Sequence, residues 1–497
     1  MPTAAEMLVQ KLVDLARQCC AADLNEAETA ILCRSVGPDK LTDSATDAAR
    51  PEVRAGLLRW LATNADAALL LDPKGLRVNS VTVTGDLDLA ECKLAIPVAF
   101  WQCTFPNQIN FDSARTRSIT LWNCILKAGL SASGISVEGS FSLTYSSVMG
   151  TLSLPGATIT GGLELSGSCL DAKGDDADSP DSLIAYDATI GGSVYLGRGF
   201  WSYGSVQLYK SSIGGFVECA GGDFGNLSLH NAVVGGDFVW YGIRHPERAW
   251  LDLSGARIKH ILDDKPGWPR QDNLLLDGLE YDELSFYVTP TPQQLEKSLL
   301  PEELPLRVDE RVEWLMRQKP ALQFNPQPWL QLQNQFAKTG DLAGQKHVLY
   351  RLQSLRAEQS RPHWKECLKA YAWLRESPLR ILYSITLVVV LGWAIFGIAG
   401  ASGWMAPTER DAYVNWATDK VPTSAYPRFQ PFVYSLENSL PLVKLGQDDR
   451  WAPDPPFHEP RRLPVYWLLM WSRWILILMG WLQATVLAAA VSDRFKQ

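Results

Sequence analysis

The sequence predicts a mainly β fold: a right-handed β-helix, a solenoid with coils of about 22 residues, followed by two C-terminal transmembrane helices. Three observations carry this expectation. Apolar-x-apolar pairs recur about every eleven residues from Gly85 onward, glycines cluster between them, and two long uncharged apolar runs lie near the C-terminus.

Composition narrows the function classes. The chain has 497 residues and a net charge of −8, with no basic stripe or arginine-rich arm, so nucleic acid is not an expected partner. Of 19 tryptophans, Trp393, Trp404, Trp467, Trp471, Trp474 and Trp481 fall in the last quarter of the chain, as suits side chains anchored at a membrane–water boundary. The 9 cysteines are scattered, with Cys19 and Cys20 the only close pair and no C-x-x-C spacing. They read as small buried hydrophobes of a reducing compartment.

Residues 1–74 are expected to form an N-terminal helical cap over the open edge of the solenoid. The opening MPTAAEMLVQKLVDLARQ is amphipathic and lacks the basic start and unbroken apolar core of a signal peptide, which keeps this part cytoplasmic. Met7–Leu15, Glu26–Cys33 and Pro51–Leu61 read as helices, the last with proline in its first turn.

Residues 75–288 carry the repeat. The pairs are Leu87/Leu89, Val98/Phe100, Ile109/Phe111, Ile119/Leu121, Leu130/Ala132, Phe141/Leu143, Leu152/Leu154 and Leu163/Leu165. After a gap they resume at Val194/Leu196, Val206/Leu208, Val217/Cys219, Leu227/Leu229, Phe238/Trp240 and Leu251/Leu253. Such alternation sends two side chains inward and one outward, the signature of a very short strand. Phe105, Ile125, Val148, Ile159, Ile213, Phe224, Val233 and Ile258 mark a second inward position. Glycine pairs at 161–162, 191–192, 214–215 and 235–236 suit corners that need positive φ or no Cβ. About eight coils are expected, with Asp171–Asp181 a solvated insertion.

Residues 289–377 read as a helical neck, with helices at Val308–Met316, Pro328–Lys338 and Leu342–Gln359. Gly340 ends the second and Asp341 caps the third, a pair resembling one tetratricopeptide unit. Residues 378–497 form the membrane domain. Ile381–Ala401 and Trp474–Val491 are long enough to span, with Arg361, Lys365, Lys369, Arg375 and Arg380 before the first and Arg494 and Lys496 after the second. The positive-inside rule then puts both termini in the cytoplasm and the loop 402–462 outside. Gly397 with Ala401, and Gly480 with Ala484 and Ala488, supply small faces for helix packing.

Two features exceed an anchor. Arg473 either snorkels to the outer interface or faces the hairpin interior, and the interface is favoured because the span from Trp474 already suffices. Phe432–Gly446 (FVYSLENSLPLVKLG) is semi-polar and lies between the spans, the order found in two-helix tetrameric cation channels, without a TVGYG run. Tyr434, Ser435, Asn438, Gly446 and Arg473 are the candidate pore or hairpin-interior residues.

Catalytic signals are weak. The 6 histidines follow no zinc spacing, although His245, His260, Asp263 and Asp264 have sequence positions that could converge near the last coil. No dinucleotide, Walker or nucleophile-elbow motif occurs, so neither a cofactor nor a metal is expected.

With these residues assembled, the chain resembles a bacterial family of pentapeptide-repeat-like β-helical membrane proteins. The likeness rests on GLRVNSVTVTGDLDL (Gly75–Leu89), GARIKHILDDKPGWP (Gly255–Pro269), LLLDGLEYDEL (Leu274–Leu284), PQPWLQLQNQFAKTGD (Pro326–Asp341) and PFVYSLENSLPLVKLGQDDRW (Pro431–Trp451). It implies a β-helix joined to a membrane hairpin in the inner membrane. The family is often labelled membrane-associated oxidoreductase, and the resemblance transfers no catalytic residue. The leading expectation is a non-enzymatic, membrane-tethered recognition scaffold with a cytoplasmic protein partner. The second is an oligomeric, channel-like or permeabilising effector gated by the β-helix, of a kind suited to stress or antiviral defence. An oxidoreductase is a distant third.

Overall fold

The computed structural model describes residues 4–20, 23–36, 50–172, 180–288, 291, 293, 302–359, 373–374, 378–419, 426–440, 443–455 and 463–495. Most of the Asp171–Asp181 insertion lies outside them, as do Arg361, Lys365, Lys369, Arg375 and Lys496. The chain divides into two compact units, Met1–Val348 and Leu349–Gln497.

Strict inward alternation of apolar residues builds the first unit into a parallel β-solenoid of about nine turns, each of about 22 residues. One turn runs through four short strands: Val98–Trp101, Thr104–Phe105, Ile109–Asn110 and Arg115–Thr116. Each strand stacks in parallel on its equivalent one coil away, as Val98 does on Ile119 and Ile109 on Leu130. Every inward residue of the pairs from Leu87/Leu89 to Leu251/Leu253 is at most 2% exposed. The gap between Leu165 and Val194 is filled by Leu183, which pairs with Leu152 and Val206. The solenoid also continues past the eighth coil, because Leu274 stacks on Leu251 and is fully buried.

Two inward assignments shift by one residue. Leu126, not Ile125, is buried, since it stacks on Phe105 and Val148. Val234, not Val233, faces inward between Ile213 and Ile258, leaving Val233 46% exposed.

The corners divide the two roles proposed for glycine. Left-handed backbone is supplied by single glycines such as Gly134 and Gly156 and by other residues in columns such as Ser80, Gln102, Asn123 and Tyr145, and by none of the paired glycines. The glycine pairs are needed for room. A Cβ on Gly191 would strike the carbonyl of Thr160, one on Gly214 that of Gly191, and one on Gly235 that of Gly214. In the last coils these corners straighten, and Val233–Trp240, Arg257–Asp263 and Glu280–Tyr287 run as single long strands.

Four helices precede the coils: α1 (Ala4–Cys20), α2 (Glu26–Val36), α3 (Ala55–Thr63) and α4 (Ala65–Ala68). Asn25 and Glu28 form a capping box on α2, each side chain accepting the other's backbone N–H. Arg54, the last residue of the strand Glu52–Arg54 that pairs with Thr82–Thr84, closes a bidentate ion pair on the buried Glu28 at 2.6 and 2.7 Å.

At the other end the expected neck behaves differently. Helices α5 (Val308–Met316) and α6 (Pro326–Lys338, starting two residues before Pro328) lie against the last coil. Open parallel edges expose backbone groups that must be paired, and glutamines pair them here. Gln318 accepts from Leu276 N–H, Gln327 accepts from Gly278 N–H and donates to Leu279 O, and Gln331 donates to Tyr281 O. Beneath them Arg311 is 1% exposed and grips Asp263 with bonds of 2.6 and 2.8 Å, surrounded by Trp268, Phe286 and Trp314. Gly340 has φ +77° and Asp341 accepts from Gly344 N–H to cap α7 (Leu342–Gln359).

Candidate functional site

The second unit contains two helices long and apolar enough to cross a membrane, spans Leu379–Ala401 and Leu463–Ala488. They belong to α8 (Pro378–Ala401) and a 33-residue helix, Leu463–Phe495. Between them come α9 (Arg410–Asp419), α10 (Pro431–Ser439) and an antiparallel strand pair, Met405–Pro407 with Trp451–Pro453. The long final helix is α11. Because Leu463–Ser472 and the run from Trp474 form one helix, Arg473 falls within the apolar stretch and not before it.

The spans run antiparallel. Ile381 packs with Val486, Gln483 Nε2 donates to Ser384 Oγ at 2.8 Å, and Leu476 sits beside Gly392. Helix α10 lies against both of them. It starts with Pro431 near Gly397, and further down Ser435 donates to Val389 O at 2.9 Å. A methyl group on Gly392 would strike Ser435 Oγ, and one on Gly480 would strike the Ser439 carbonyl. The helix therefore descends along α8 and ends part-way down both spans. Its exposed side carries Phe432, while Tyr434, Ser435, Asn438 and Ser439 are buried.

The small residues read as packing sites thus divide. Gly397 and Gly480 face α10 instead of the opposite span. Ala484 is half-buried, and Ala401 and Ala488 are exposed. Gly392, whose added methyl would meet Ser435, was not singled out in the sequence.

The chain returning from α10 is held by Glu437. Its carboxylate accepts the backbone N–H groups of Leu445 and Gly446 on Oε1 (both 2.9 Å), and of Gln447 and Asp448 on Oε2 (2.8 and 2.9 Å). All four acceptor positions of an ionised carboxylate are thereby used. Gly446, at φ +81°, makes the bend that brings the successive amides round to one carboxylate.

Arg473 faces this loop. Its guanidinium pairs with Asp448, its Nε donates to Asn438 Oδ1 at 3.3 Å, and it lies 6.0 Å from the Tyr434 ring centroid. Tyr434 meets Phe396 and Phe429 with ring centroids 4.9 and 5.4 Å apart, and Phe429 meets Trp451 at 5.4 Å. This aromatic layer fixes the entrance of α10 beneath the strand pair. Four of the candidates, Tyr434, Asn438, Gly446 and Arg473, thus belong to one assembly, with Ser435 fastening it to α8. Glu437 and Asp448 complete it. Sequence reading missed both, and the only available signal was an acidic residue within an apolar, otherwise uncharged helix.

No family model, curated protein or solved structure matches the chain.

The acidic and histidine residues near the last coil do not converge. Asp263 is taken by Arg311 and Trp268, and Asp264 caps the turn at Gly267 and binds Gly242 N–H. His260 meets Ser285 at 2.8 Å, and exposed His245 meets Glu247. Among the described residues no three metal-binding side chains gather. A Ser254–His230 contact of 2.7 Å resembles half of a nucleophilic relay, yet Ser254 gives its proton to Asp252, and Asn231 engages the other imidazole nitrogen. That ordering leaves no hydroxyl for the imidazole to activate.

Proposed function

We propose that this protein is a channel-like membrane effector, a homo-oligomeric pore of two-helix subunits carrying a cytoplasmic β-solenoid. The observation that carries the reading is the partial descent of α10 and the return of its loop on the Glu437 carboxylate. Non-helical backbone within a bilayer is tolerated only where protein buries it or water lines it. A helix that enters part-way and a loop pinned by a dedicated carboxylate supply such a segment. Two helices cannot enclose water alone, so the path requires several copies around the exposed side of α10 and its loop, where Phe432 and Leu445 are half-exposed.

In this reading the chain crosses the bacterial inner membrane twice with both termini in the cytoplasm. The solenoid winds right-handed, as parallel crossovers favour, and α1–α4 shield its first edge. It supplies the sensing surface, a role compatible with stress or antiviral defence, and the family resemblance accords with this layout. A tethered scaffold, in which the same solenoid only recruits a cytoplasmic partner, is the competing account.

Ion flux through liposomes holding the purified full-length protein separates them, measured beside Arg473→Ala. The pore reading expects flux that the substitution alters, because the arginine positions Asp448 and α10. Absence of flux in both proteins, with insertion verified, favours the scaffold.

A further inference from the structure

Lys444 is an exposed cation on the returning loop of the second unit, and the hydrogen bonds of its two neighbours place it along the spans. On one side Val443 donates to Leu440 O at 3.0 Å, at the deep end of α10. On the other, Leu445 donates to Glu437 at 2.9 Å. That end of α10 lies against Gly480, within the second span, and the preceding turn lies against Val389 and Gly392 of the first. Lys444 is thus tied to a level inside both apolar helices.

An ammonium facing lipid at such a level is penalised by about 2.5–3.5 kcal/mol even on the lenient insertion scale, and such residues characteristically face a water-filled cavity. The neighbouring charges are withdrawn from the exposed face. Glu437 keeps its negative charge but is buried and turned to four backbone amides, and Asp448 is paired with Arg473. The carbonyl end of α10 contributes at most about half a negative elementary charge and acts over one turn. The full positive charge of Lys444 outweighs it, and repetition in each subunit makes a ring of the kind that selects anions.

We propose that Lys444 lines the water-filled axis of the assembled protein and gives that path a preference for anions. This rests on the pore reading above and specifies its selectivity.

The test measures reversal potentials across a tenfold KCl gradient for full-length protein, Lys444→Arg, Lys444→Gln and Lys444→Glu in liposomes. Wild type and Lys444→Arg are expected to follow chloride, Lys444→Gln to lose most of the preference, and Lys444→Glu to follow potassium, a change in permeability ratio of at least about tenfold. Currents with one unchanged reversal potential in all four would overturn the role of Lys444 and leave the pore standing. Silence from all four, with insertion shown by protease protection, would remove the pore and this inference together.

Discussion

The Glu437 carboxylate accepts the backbone N–H of Asp448 at 2.9 Å, joining residues eleven positions apart across the turn that follows α10. Asp448 in turn holds Arg473 of α11, so one acidic side chain sets the geometry linking α10, its loop and α11. Glu437→Gln keeps the shape but replaces an acceptor oxygen with an N–H₂ group that meets backbone N–H groups head-on. A loss of about 2–4 kcal/mol is expected. Denaturation of the full-length protein in mild detergent checks it. A midpoint unchanged from wild type would mean that the four bonds contribute nothing net.

Arg311 and Asp263 test the end of the solenoid. Their pair is enclosed by Trp268, Phe286 and Trp314, and removing one charge strands the other out of water. Arg311→Met alone is expected to cost about 3–5 kcal/mol, and Asp263→Leu alone a similar amount. The double variant should recover most of that loss, because two apolar side chains leave no unpaired charge. Strictly additive losses in a double-mutant cycle would contradict a direct coupling.

The inward positions show what the sequence made legible. Pairs such as Leu163/Leu165 are flanked by polar neighbours, so a period of two fixes which residue points inward. At Ile125–Leu126 and Val233–Val234 both neighbours are apolar, and the pattern has no phase. Only stacking on Phe105 and Val148 decides for Leu126. Leu126→Ala is therefore expected to cost about 2–4 kcal/mol and Ile125→Ala under about 1.5 kcal/mol, by thermal or chemical unfolding. Equal losses would mean that the strand faces the other way. The Glu437 clamp was illegible for a different reason: its partners are backbone amides, which every residue but proline carries. Arg473 stood out as a lone charge, but its direction depended on whether Leu463–Ser472 continued the same helix.

Glycine stacking gives a sharper contrast. Gly214 lies directly over Gly191, so the methyl group of Gly214→Ala meets a backbone carbonyl that cannot rotate away. A destabilisation of more than about 2 kcal/mol is expected, in the range of an overpacked core. Gly56→Ala, in helix α3, places its methyl in open space and should be neutral or stabilising by up to about 1 kcal/mol through helix propensity. Unfolding midpoints that rank these two in the opposite order would refute the assignment of the glycine pairs to spatial need.

At the opposite end of the first unit, Glu28 links stability to pH. Burial alone would raise its carboxyl, but the Arg54 guanidinium and the amides of Asn25 and Arg54 prevail and hold it below its ordinary value of 4.5. A carboxyl lowered in the folded state binds protons less readily there than in the unfolded chain. Its contribution is therefore fully present above pH 4.5 and is lost as pH falls through the depressed folded value. Glu28→Gln should be less stable than wild type at neutral pH, and the difference should shrink steadily below pH 4.5. Parallel stability curves for the two proteins from pH 7 to pH 3 would show that ionisation of Glu28 is not coupled to folding.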